Sequence, residues 1–79
     1  MSAVIDIQHL DEEDRELVRY MAEESMSVKK AAQRMCLSVS ATRYRLRRIV
    51  TRTGADPRTF FGLTRLYYAV ECAEKIRRR

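Results

Sequence analysis

The sequence predicts an all-α domain of four helices, preceded by an extended arm and closed by a long last helix. Three observations carry that expectation. One proline and two glycines among 79 residues leave little to interrupt a helix. Three good helix N-caps, Asp11, Ser27 and Ser38, each stand just before a run of periodic apolar residues. Within those runs apolar side chains recur at intervals of three and four, the period of a helix with one buried face.

Residues 1–9 read as the arm, because Val4, Ile5 and Ile7 are β-branched and precede any helical period. Residues 10–79 form the domain. Asp11 caps a first helix over 12–24, and Glu12, Glu13 and Asp14 suit the positive end of its dipole. Leu10 staples onto its first turns, while Leu17, Val18 and Met21 turn inward with Tyr20 beside them. Ser25-Met26-Ser27 breaks this helix, and Ser27 caps a second over 28–35. Val28, Ala31, Ala32 and Met35 form its packing side, where two adjacent alanines admit a close neighbour. Cys36-Leu37 makes a tight turn, with Leu37 expected to plug the core. Ser38 caps a third helix over 39–53, Gly54 stops it, and Pro57 keeps the connection from continuing helically.

The last helix, 58–79, starts near Arg58 or Thr59. Leu63, Leu66, Val70 and Ala73 fall on one stripe that Tyr67 and Ile76 broaden, and Phe61, Tyr68 and Cys72 make a second apolar strip. That is more apolar surface than three short helices can cover. The terminal Arg77-Arg78-Arg79 reads as a solvated tail.

Charge is distributed unevenly. Residues 1–27 hold eight acids and two bases, a net of −6; residues 28–58 hold nine bases and one acid, a net of +8. Residues 59–79 hold five bases and two acids, a net of +3, for +5 overall. The third helix concentrates the pattern on three faces. Thr42, Leu46, Ile49 and Thr53 share a packing face, Arg43 and Arg47 share a second with Tyr44, and Arg45, Arg48 and Arg52 form a third stripe. A charge run is usually a solvated face, but no acid lies between Val39 and Ala55 to interleave these arginines. A polyanion is the partner that such a surface fits.

Other chemistry is thinly represented. So short a chain holds a helical core but no roomy cleft. Its one histidine, His9, lies in the arm, so no catalytic constellation can be built around it, and no enzyme is expected. The acids at 11–14 lack the alternating ligands and glycine of a calcium loop, and capping explains them. No metal or other cofactor is therefore expected. Cys36 and Cys72 are isolated and fit reduced thiols. No signal peptide and no membrane span are read, so a cytoplasmic protein without a membrane partner is expected.

A short helix, a tight turn and a capped basic helix make a helix-turn-helix. Over residues 10–63 the chain resembles the LuxR/GerE-type DNA-binding domain of bacterial transcription regulators. Leu10-Asp11-Glu12-Glu13-Asp14-Arg15-Glu16-Leu17-Val18 is similar to the family's opening, and Ser27-Val28-Lys29-Lys30-Ala31-Ala32 to its second-helix motif. The run from Leu37 to Thr59 keeps the family's spacing without a gap, although Ala41, Thr42 and Arg45 replace its usual threonine, valine and histidine. Tyr44-Arg45-Leu46-Arg47-Arg48-Ile49 followed by Thr53-Gly54 looks equally like the helix-turn-helix at the C-terminus of PucR/CdaR-type regulators. The first half resembles sigma-factor region 4 more weakly.

These resemblances imply a sequence-specific regulator of transcription that binds double-stranded DNA, with helix 39–53 in the major groove. In the LuxR/GerE type the matching positions Arg43, Tyr44 and Arg47 face base edges, in agreement with the face that helical geometry gives them. Lys29, Lys30, Ser40, Arg45, Arg48, Arg52 and Arg58 are placed for phosphates. The resembled family dimerises through its last helix, which implies an interface of Leu63, Leu66, Tyr67, Val70 and Ala73. The expected partners are DNA, a second copy or a related regulator, and RNA polymerase. The competing reading is a protein-interaction module of the same fold that binds a sigma factor or another regulator.

Overall fold

The computed structural model describes residues 7–77. It contains four helices and no strand among them: α1 (Glu12–Glu23), α2 (Val28–Met35), α3 (Val39–Thr53) and α4 (Phe60–Arg77). Each begins on the same device, a side-chain oxygen that accepts the N–H three residues on. Asp11 takes the N–H of Asp14 at 2.8 Å, Ser27 that of Lys30 at 3.2 Å, Ser38 that of Ala41 at 3.1 Å and Thr59 that of Gly62 at 3.1 Å. Four short helices thus start where the sequence supplies a short polar side chain.

α2 and α3 end on left-handed residues. Gly54 closes α3 at φ +78°, the conformation for which glycine carries no penalty. Cys36 (φ +58°) closes α2, and Ser25 and Met26 (φ +55° and +67°) turn the chain after α1, positions where a side chain costs energy. The backbone offsets this with bonds back into the helix: Met26 N–H to Met21 C=O at 2.7 Å, and Leu37 N–H to Ala32 C=O at 3.0 Å.

The core is aliphatic. Leu17, Val18 and Met21 of α1, Leu46 and Ile49 of α3, and Leu66 and Val70 of α4 are wholly buried. Each such side chain is worth about 1.5–3 kcal/mol of transfer free energy. α1 is the hub, packed against the other three helices. All six aromatic residues lie outside this core; Phe60, Phe61 and Tyr68 are nearly three-quarters exposed.

Four expectations need correction. Ile7 to His9 is a 3-10 turn, not extended arm, because Ile7 is buried against α3 and α4 and its carbonyl accepts from Leu10 N–H at 3.0 Å. The rest of the arm, with Val4 and Ile5, lies outside the described residues, as do Arg78 and Arg79. Leu37 is half-buried rather than a core plug. Leu66 and Val70 are wholly buried in the chain's own core and Leu63 keeps only an edge exposed, so the stripe meets α1 rather than forming the outer face of the helix. Ile76 does not extend that stripe, since it is 71% exposed.

Candidate nucleic-acid interface

α2, the turn at Cys36 and α3 form the helix-turn-helix. Thr42, Leu46 and Ile49 are buried, which fixes the rotation of α3 about its axis. Thr42 adds a hydroxyl bond to the Ser38 carbonyl at 2.9 Å, and Thr53 one to the Ile49 carbonyl at 2.7 Å. With that face inward, helical geometry turns Ser40, Arg43, Tyr44, Arg47 and Thr51 outward together, and all five are exposed.

The five arginines of α3 divide into two sets. Arg48 donates to Asp14 Oδ1 at 3.0 Å, and Arg52 to Asp14 Oδ2 at 3.1 Å. Asp14 is fully buried, so both its oxygens are satisfied by guanidinium groups reaching across from α3. Arg48 also lies 3.7 Å from Asp11, Arg52 donates to the His9 carbonyl at 3.4 Å, and Arg45 pairs with Glu13. The Asp14 hydrogen bond holds the Arg48 guanidinium above even its ordinary pKa. Arg43 and Arg47, by contrast, make no ion pair and no side-chain hydrogen bond among the described residues.

Every member of the expected phosphate stripe on α3 therefore has an acidic partner within the chain. Arg45, Arg48 and Arg52 are engaged by carboxylates of α1, so the acids missing from α3 are supplied from a neighbouring helix. Arg58 is likewise engaged, by Asp56 at 3.1 Å, and that bond holds the Asp56 carboxyl below its usual pKa. Lys29 and Lys30 are exposed on α2, and Ser40 shares the outward face of α3 with Arg43 and Arg47. Arg34, also on α2, sits 4.3 Å from the Tyr20 ring centre and pairs with Glu23 and Glu24, which ties α2 to the end of α1.

Two participants escaped the sequence reading. Thr51 joins the outward face, one turn beyond Arg47. Asp14 acts as a buried anchor rather than only a first-turn acid. Its signal was present: Asp14, Leu17, Val18 and Met21 are spaced i, i+3, i+4 and i+7, so the acid sits on the apolar stripe and needs a cation.

The arrangement can present two unpaired guanidinium groups, a phenol and two hydroxyls on one rigid helix, with cations on α2 alongside. An α-helix fits the major groove, and an arginine matches guanine O6 and N7 with two hydrogen bonds. Residues 15–72, most of the chain, match the family model described as the PucR C-terminal helix-turn-helix domain. That is the PucR type of the second resemblance, rather than the LuxR/GerE type. No curated protein and no solved structure matches the chain.

Proposed function

Because this chain belongs to the family of PucR C-terminal helix-turn-helix domains, a DNA-binding fold, we propose that it reads a specific double-stranded DNA sequence and so regulates transcription. α3 enters the major groove, with Arg43, Tyr44 and Arg47 on base edges. Lys29 and Lys30 hold phosphates, and Ser40 stands at the boundary between the two roles. The observation that carries this reading is the division of the arginines. Acids of α1 hold Arg45, Arg48 and Arg52, whereas Arg43 and Arg47, exposed on the outward face, have no ion-pair partner among the described residues and are available to an anion. The chain works as a pair of copies, which suits a two-fold symmetric site with half-sites about 34 Å apart.

Selection of duplexes from a random pool, followed by fluorescence anisotropy, tests the proposal. A consensus should emerge, and Arg43→Ala should flatten its preference at one base pair by about 1–3 kcal/mol. No enriched sequence, with the wild-type chain binding all duplexes alike, would overturn specific reading. Binding of a sigma factor or another regulator, with no affinity for DNA, would favour the protein-interaction alternative.

A further inference from the structure

The aromatic residues of α4 form a surface that the reading of DNA leaves unexplained. Phe60, Phe61 and Tyr68 are 73%, 75% and 72% exposed. With Tyr67 they line the first half of α4, where helical spacing sets them side by side. Phe60 and Tyr67 are themselves walls of an apolar groove of about 350 Å³ that Ala22, Met26 and Leu63 also line, and Phe61 and Tyr68 stand outside it. The groove sits at the end of α1, behind the left-handed turn at Ser25 and Met26.

We infer that two copies of this chain associate through this face, an aromatic side chain of each seating in the groove of the other. Three features select a second copy as the occupant. A two-fold interface needs a patch that complements itself, and here projecting rings and an apolar groove lie on one surface. The area fits as well. At about 150–250 Å² for a whole aromatic side chain, Phe60, Phe61 and Tyr68 alone present on the order of 400 Å². A standard interface buries about 800 Å² per partner, somewhat over half of it apolar. Charge is the third feature. The chain carries +5 and repels its own copies, but residues 59–64 hold no charge at all.

This surface replaces the interface expected at Leu66 and Val70, which the core occupies, and it keeps Tyr67 and the edge of Leu63 that lines the groove. It lies on α4, while α1 packs between α4 and α3, so pairing leaves the outward face of α3 uncovered. The inference deepens the proposed function by naming the surface that joins the two reading helices. Its test needs no DNA, so failure of pairing and failure of DNA reading are separate results.

Light scattering after size exclusion, run from about 10 to 500 μM, should give twice 9.3 kDa for the wild-type chain. Phe61→Ser combined with Tyr68→Ser should give the single-copy mass with helicity unchanged by circular dichroism, since both side chains are exposed. A wild-type chain of single mass at 500 μM would overturn the pairing and leave the face to a different polypeptide. A double variant that is folded and still paired would overturn this surface, as would masses that climb past two without a plateau. Should the double variant lose helicity, nuclear magnetic resonance of the wild-type chain on dilution decides. Shifts centred on Phe60, Phe61 and Tyr68 sustain the inference, and shifts confined to other residues overturn it.

Discussion

Replacing Asp14 with asparagine should cost more stability than any other isosteric change in the acidic helix. The side chain is fully buried, and its two oxygens accept from Arg48 at 3.0 Å and Arg52 at 3.1 Å. Asparagine keeps the shape but turns an amide donor toward one guanidinium and removes the charge from both. Breaking a buried ion pair at one end costs about 3–5 kcal/mol where the stranded charge has no escape. Here the arginine side chains keep 29% and 36% exposure, so each head group can rotate into water and recover part of the loss. A loss of about 2–3 kcal/mol follows. A chain of this size has roughly 4–12 kcal/mol in hand, so the loss is a large share. With a urea dependence of about 1 kcal/mol per molar, the midpoint should fall by about 2–3 M, as read by circular dichroism at 222 nm. Arg48→Gln in the Asp14→Asn background should cost less than Arg48→Gln alone, by about 1 kcal/mol of coupling. A midpoint shift under about 0.5 M, or additive single losses, would refute the reasoning that Asp14 anchors α3.

The other predictions concern turns and acid. Gly62→Ala should destabilise by about 3 kcal/mol, because the added Cβ would lie 2.8 Å from the Asp56 backbone C and N, and closer to its carbonyl oxygen; thermal unfolding measures it. Gly54→Ala should cost only about 1 kcal/mol in the same assay, since the φ of +78° is strained for alanine but the space beyond is open. The Asp56 carboxyl should titrate below the ordinary value of 3.8 by nuclear magnetic resonance and return toward it in Arg58→Ala. Its folded pKa is the depressed one, so its contribution to stability is complete above the unfolded value and is lost as pH falls through the folded value. That contribution is small, because solvent screens a carboxyl one-third exposed. An unchanged Asp56 titration in the variant would dismiss the pair.

The helices were legible because their boundaries are written locally. Asp11, Ser27 and Ser38 cap where a short polar side chain precedes a periodic run, and Gly54 stops α3, so α2 and α3 fall where the spacing puts them. The outward face of α3 followed from the same geometry, since Thr42, Leu46 and Ile49 can all face inward in only one rotation. What periodicity could not decide was the orientation of α4. Leu63, Leu66 and Val70 lie on one side and Phe61, Tyr68 and Cys72 on the other, and both stripes are apolar at helical spacing. The distinction is one of shape: the space against α1 is filled by aliphatic side chains, and the rings are left outside. The ion pairs were missed for another reason. Asp14 and Arg52 are 38 residues apart, and their meeting depends on how α1 crosses α3, which no local pattern encodes.

The central claim is that the arginines of α3 have two separate jobs, and replacing each in turn by alanine tests it. For all five variants, affinity for the selected duplex and stability in urea should be measured side by side, with affinities taken where every variant is folded. Arg43→Ala and Arg47→Ala should each lose about 10- to 100-fold in affinity while stability stays within about 0.5 kcal/mol of wild type. Arg48→Ala and Arg52→Ala should do the reverse, losing about 1–2 kcal/mol of stability with affinity changed only a few-fold, and Arg45→Ala should fall between them. Equal affinity losses at all five positions, or a stability loss centred on Arg43 and Arg47, would contradict the account.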